Sequence, residues 1–345
     1  MARRTPITYR DAGVDIDAKS RLMERVKPHL RATFTQGVVS DIGLFGSLFA
    51  LPHEYRDPLL VASADSVGTK VMVATMAGRH DTVGRDIVSH CVNDLLVQGA
   101  RPLFFIDYVA AGHLDTDVLE AVLRGLADGC REAECALIGG EIAEMPGIYI
   151  EHQYDLVGFV VGAVERTQVV TGEKVQPGDV LVGLASDGLH TNGYSLARKL
   201  IFEVAGWPVD RFVPELNRTV GDELLRVHRN YAGPVLPLLD QFSVHGMAHI
   251  TGGGLPDNVI RSLPQGCRAV IRREAWEVPP IFTLLQALGN VPDQDLFHTF
   301  NMGIGFVLIA PADQAEHVLA HLRDAGERPC VMGEVVEGER GVEII

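Results

Sequence analysis

No Cys-x-x-Cys pair occurs in the chain, and its five cysteines, Cys91, Cys130, Cys135, Cys267 and Cys330, are an odd and widely spaced set. That is poor material for a disulfide framework, and it points to a reducing, cytoplasmic setting. No apolar run approaches the ~20 residues of a membrane span, and the N-terminus shows no apolar signal core. Basic residues are outnumbered, 30 against 45 acidic ones, for a formal net charge of -15. A surface of that sign disfavours nucleic acid and anionic membrane as partners, so a phosphorylated ligand must be met by local cations. The phosphate-loop spacing G-x-x-x-x-G-K-[ST] is missing, as is a G-x-G-x-x-G opening a helix after a strand.

What the chain has in excess is glycine, 36 in 345 residues, much of it in short clusters that suit backbone lying close to a ligand. At roughly 150 residues per domain the length suggests two domains. Short apolar runs at 58–63 and 103–109 read as strands. Between them, Ile87, Val88, Cys91, Val92, Leu95 and Leu96 recur at helical spacing from Thr82 to Gln98, leaving Asp86, His90, Asn93 and Asp94 on the opposite stripe. A further helix capped by Asp115 leads to a strand at 136–138. A turn-rich stretch around Thr171–Asp179 interrupts the pattern, which places the boundary between units 1–170 and 171–345. The second unit is expected to hold a strand at 180–185, a helix at 194–205, a longer helix at 222–242, a strand ending at Thr251 and a helix at 255–261. Both units mix strands and helices without regular alternation, giving an α/β class with α+β layers.

Several segments carry chemistry. Asp65, Ser66, Gly68, Thr69 and Lys70 stand together where a strand ends. Gly139, Gly140 and Glu141 follow another strand, and Asp94 lies on the polar stripe of the first strong helix. Asp65, Asp94 and Glu141 are expected to converge on Mg²⁺, which takes oxygen ligands and is commonly shared with nucleotide phosphates. His190 falls in the loop Ser186–Ser195, where a histidine suits proton transfer near neutral pH or fixes its own loop. Thr251, Gly252, Gly253 and Gly254 precede a helix and are expected to hold a phosphate. Asp41–Ser47, with Gly43 and Gly46, is a third glycine-containing loop.

In order along the chain, the segments Tyr9–Asp17, Asp65–Lys70, Cys91–Leu95, Gly99–Phe105, Gly139–Glu141 with Ala143–Gly147, Gly188–Leu196, Ala248–Gly254 and Thr299–Asn301 resemble the AIR synthetase, or phosphoribosylformylglycinamidine cyclo-ligase, family. The likeness spans nearly the whole chain. Ser66, in place of a usual glycine, and Ile142, in place of a usual threonine, depart from it.

The resemblance implies an ATP- and Mg²⁺-dependent ligase that closes the imidazole ring of a ribonucleotide in purine biosynthesis. It also implies a homodimer whose N-terminal sheets join into one barrel, with ATP near the subunit interface. Motifs and resemblance together give the expected site. His190, Asp65 and Lys27 are catalytic, Lys27 on the resemblance alone. Gly43, Gly46, Gly68, Thr69, Lys70, Asn93, Asp94, Gly139 and Gly140 contact the nucleotide, while Asn192 and Thr251–Gly254 contact the ribonucleotide. A small-molecule kinase of the same superfamily and a non-catalytic nucleotide-binding relative are the alternatives.

Overall fold

The computed structural model describes Gly13, residues 15–113 and residues 115–345; Tyr9–Ala12 and Val14 of the first family-like segment lie outside them. Helix α1 (Ile16–Arg31) begins where the Asp15 side chain accepts the Ala18 N–H, and it buries Leu22, Val26 and Leu30 at four-residue spacing.

The first domain continues as β1 (Pro58–Ser66), α2 (Lys70–Ala77), α3 (Asp81–Leu96), β2 (Arg101–Ala111), α4 (Thr116–Glu132), β3 (Ala136–Glu144) and β4 (Tyr154–Glu165). Its four strands lie in the order β1-β4-β2-β3, with only β2 and β3 parallel. α3 packs against one face: a Cβ at Gly158 would stand within 3.2 Å of Phe105, Ile87 and Cys91. The other face is bare, with Leu60 65% and Phe159 45% exposed.

The second domain contains β5 (Val180–Ala185), α5 (Tyr194–Arg198) widening into a π turn at Lys199–Val204, the two-residue strands β6 (Phe212–Val213) and β7 (Arg218–Thr219), α6 (Val220–Leu224) and α7 (Ala232–Leu239). There follow β8 (Gly246–His249), α8 (Gly254–Val259), β9 (Cys267–Ile271), α9 (Pro280–Gly289), α10 (Asp293–Thr299), β10 (Ile304–Ala310), α11 (Ala315–Asp324), β11 (Pro329–Glu337) and β12 (Gly341–Ile344). Six of these strands form one sheet, β12-β9-β11-β5-β10-β8, and all seven residues of β10 are buried. Sheet membership changes between Glu165 and Val180.

One sequence expectation fails for a physical reason. Residues 222–242 do not form one helix but break into α6 and α7 around an irregular segment. The polar stripe of α3 supplies the reason, since Asp86, His90 and Asn93 are buried. That stripe is spent on the broken segment. Asp86 accepts the His228 N–H (2.7 Å), while Asn93 donates to the Arg229 carbonyl (2.8 Å) and accepts the Tyr231 N–H (3.0 Å). Backbone groups that a continuous helix would have satisfied internally are satisfied by the other domain instead.

Candidate active site

The two domains meet across a closed circuit of acids, imidazoles and hydroxyls. Asp65, near the end of β1, places Oδ2 2.9 Å from His90 Nε2 on α3. His90 Nδ1 lies 2.6 Å from Thr191 Oγ1, which is 3.2 Å from His228 Nδ1. His228 Nε2 is 3.0 Å from His249 Nε2, and His249 Nδ1 is 2.8 Å from Asp94 Oδ1. Asp94 Oδ2 accepts from Ser63 Oγ at 2.9 Å, which returns to β1. Helical spacing sets half of this: His90 and Asp94 are four residues apart on α3, hence on one face. β-strand spacing sets another part, because Ser63 and Asp65 alternate onto the same face of β1.

Burial divides the imidazoles. Desolvation holds His190 and His228 well below the ordinary histidine range, and neighbouring cations lower them further. His249 is also lowered by burial, against the pull of Asp94. His90 is opposed by burial too, but the Asp65 hydrogen bond and the charges of Asp94, Asp65 and Asp86 leave it raised. Burial pushes the Asp65 and Asp94 carboxyls up; their histidine partners outweigh it and leave both below the usual value.

Beside this circuit a cavity of about 340 Å³ opens, its wall including Asp94, His249, Thr251, Asn258, Arg261, Gln98 and Thr171. Next to it in sequence from Thr251, Gly252 stands near Asn192, whose Nδ2 is 3.9 Å from where a Cβ on Gly252 would stand. Asp94 and Thr251 therefore share one cavity wall, and Asn192 and Gly252 lie beside Thr251. Thr69, whose Oγ1 is 3.3 Å from Ser195 Oγ, and Gly68 border the same domain seam.

Other expectations need correction. Lys70 offers no charge to a phosphate, since it is fully buried and its ammonium is shared among Asp86 (2.7 Å), the Arg226 carbonyl (2.7 Å) and the His190 carbonyl (3.1 Å). His190 is not an open-loop side chain. It sits at φ 61°, 1% exposed, stacked at 4.0 Å on His228, with Nε2 accepting the Asp187 N–H at 3.1 Å. Its lone pair thus holds its own loop.

Glu141 does not join Asp65 and Asp94. It pairs in register with Tyr108, while Asp65 aligns through Gly158 with Asp107, so the two acids point to opposite faces. Three strand spacings of about 4.8 Å separate β1 from β3, roughly 14 Å. Glu141 meets Lys19 at 2.8 Å instead.

Gly253 and Gly254 start only a six-residue helix, and a Cβ on Gly253 would lie 2.7 Å from the Asp257 carboxylate, a poor place for a phosphate. Gly139 and Gly140 lie on β3, which the loop carrying Gly43 and Gly46 reaches through Ser47, and Lys27 lies on α1. There Ser47 Oγ donates to the Ile138 carbonyl (2.5 Å), and Lys27 acts on Asp41, which Arg31 holds down to about 2.

The residues that sequence reasoning left without a role are His249, His228, Thr191, Ser63, Asn258 and Arg261. His249 had a signal, a titratable residue closing the apolar strand just before Thr251. His228 had none, because its neighbours are unremarkable until the chain folds.

This fold and seam define a class. Residues 53–164 match the family described as AIR synthase related protein, N-terminal domain, and residues 176–345 match its C-terminal domain counterpart; the chain belongs to this family. Among curated relatives, the phosphoribosylformylglycinamidine cyclo-ligase of Geobacter metallireducens is 52% identical over 98% of both chains. That of Syntrophotalea carbinolica is 49% identical over the full length of both. Among solved structures, thiamine-monophosphate kinase from Stenotrophomonas maltophilia aligns with a TM-score of 0.70 at 19% identity, covering 92% of this chain and 95% of that one. The hydrogenase maturation protein HypE in complex with ATP aligns at 0.69 and 19%, covering 97% and 93%. These structural likenesses establish a shared fold.

Proposed function

We propose that the chain catalyses ATP-dependent closure of formylglycinamidine ribonucleotide to 5-aminoimidazole ribonucleotide, the ring-forming step of purine biosynthesis. ATP transfers a phosphoryl group to the formyl amide oxygen, the amidine nitrogen attacks the activated carbon, and the oxygen leaves as phosphate while the nitrogen loses a proton. The observation that carries this reading is full-length identity near one half with cyclo-ligases. The seam supplies fitting chemistry: an open cavity with an acid–imidazole pair on its wall.

Asp65 and Asp94 fit Mg²⁺ carried by ATP, which needs only one or two protein carboxylates beside phosphates and water. They face the same seam, and the charge of Asp94 raises the proton affinity of Asp65. Bound there, Mg²⁺-ATP supplies the phosphoryl group. His249, oriented by Asp94, takes the role first assigned to His190 and accepts the amidine proton. Arg261 brings a cation to the cavity wall for the ribonucleotide phosphate, on the same wall as Thr251.

Lys27, Gly43, Gly46, Gly139, Gly140 and Glu141 reach this site only from a second copy. The bare face with Leu60, Ile106 and Phe159 is the surface such a cytoplasmic homodimer would close.

Incubating purified protein with Mg²⁺-ATP and formylglycinamidine ribonucleotide, or in parallel with thiamine monophosphate, tests the reading. Ring closure is expected only with the former; phosphorylation of the latter would instead make the chain a kinase of the same fold.

A further inference from the structure

The acid–imidazole circuit contains nitrogen donors that nucleotide-borne Mg²⁺ does not need. One ligand atom each from His90, Asp94 and His249 lies within 4.8 Å of the other two. Tetrahedral donors at the ~2.0–2.2 Å bond lengths of zinc sit somewhat over 3 Å apart, so a modest contraction would close the set on an ion.

We propose that His90, Asp94 and His249 form a site for a borderline transition-metal ion of the Zn²⁺ or Co²⁺ kind. Imidazole with one carboxylate suits such ions and is a poor set for Mg²⁺, which takes oxygen. Each ligand also has the outer partner that orients metal-binding groups. Asp94 is held by Ser63 at 2.9 Å, and His249 by His228 at 3.0 Å through Nε2, leaving Nδ1 for the metal. His90 has Thr191 on one nitrogen and Asp65 on the other, so either can turn to the ion while the other stays anchored. The cavity on which Asp94 and His249 stand is the way in, and a water or substrate atom there would complete a four-coordinate ion. The ligands come from both domains, so the ion ties the seam together and occupies Asp94. The ion takes Asp94 from Mg²⁺-ATP and His249 from proton transfer, so it is an inhibitory occupant of the ring-closing site, and its binding is measured without nucleotide so that its failure and the failure of the ring-closing reading are told apart.

The test uses the full chain, stripped with chelator and returned to millimolar Mg²⁺. Equilibrium dialysis is expected to give one Zn²⁺ per chain, the visible spectrum of Co²⁺ to show low-coordinate nitrogen–oxygen ligation, and Zn²⁺ to raise Tm. In folded His249→Gln and Asp94→Asn proteins the Co²⁺ bands disappear and Zn²⁺ affinity falls beyond the about 10- to 100-fold cost of losing an outer partner. Ser63→Ala should fall within that range. His317 and His321 on α11 are the competing pair, so His317→Gln/His321→Gln is the control and keeps the site. The proposal is overturned if the native chain binds no Zn²⁺ over Mg²⁺, if His249→Gln and Asp94→Asn bind it unchanged, or if the α11 variant is the one that loses it.

Discussion

Lys70 Nζ lies 2.7 Å from Asp86, and neither side chain has any exposed surface. The pair joins the start of α2 to α3, and the remaining ammonium protons are donated to carbonyls of the second domain. Removing one partner leaves an uncompensated buried charge, which typically costs about 3–5 kcal/mol. Lys70→Met should therefore lose about that much in urea unfolding. The double variant Lys70→Met/Asp86→Leu should recover part of it; the remainder is the abandoned His228 N–H and the two carbonyls.

Helices α3 and α4 touch through glycines. A Cβ on Gly125 would fall 1.9 Å from the Asp81 carbonyl oxygen, and one on Gly84 2.3 Å from that of Val122. Both atoms are backbone and cannot swing aside. Gly125→Ala should cost upwards of about 1–3 kcal/mol, the usual range for overpacking. Gly46→Ala, with nothing within 4 Å, should change stability by less than about 0.5 kcal/mol. Urea midpoints of the two variants measure the contrast.

Burial pushes the Asp107 carboxyl up to about 7 from an ordinary value of 3.8. The folded state therefore holds a proton that the unfolded chain releases near pH 4. Its stabilising contribution is complete below that pH and is lost as pH rises through about 7, at up to ~1.4 kcal/mol per unit. Asp107→Asn does not titrate, so its stability relative to the native chain should climb from pH 4 to pH 8. A flat difference would mean that Asp107 is already ionised in the fold.

His190→Asn discriminates loop anchor from base. Since Nε2 is committed to the Asp187 N–H, kcat should fall less than about tenfold, short of the ~10² to 10⁴ of general-base help, with the pH profile unchanged. His249→Asn should fall within that larger range. The reverse ranking would restore His190 as the proton acceptor.

Much of this was legible in the sequence. Short apolar runs and helical periodicity located β1, α3 and β2 to within a few residues, and glycine clusters with strand-end acids were the signals for approaching ligands. What stayed hidden depends on contacts distant in sequence. Lys70 reads as a phosphate-binding lysine until the second domain covers it, and the stripe of Asp86, His90 and Asn93 gives no sign of the segment it will bind. Glu141 and Asp65 occupy similar strand ends, but only strand order and register show that they face opposite ways. The broken helix at 225–231 could not be read locally, because its replacement hydrogen bonds come from α2 and α3.

The central claim is that the seam around Asp94 and His249 couples ATP cleavage to ring closure. The most direct measurement follows ADP and 5-aminoimidazole ribonucleotide together in one time course, for the native chain and for Asp94→Asn. The account predicts equal amounts of both products from the native chain and a drop of at least about 10²-fold in both for the variant, equivalent to about 2.7 kcal/mol. ADP without aminoimidazole from the native chain, or full ring closure by Asp94→Asn, would contradict it.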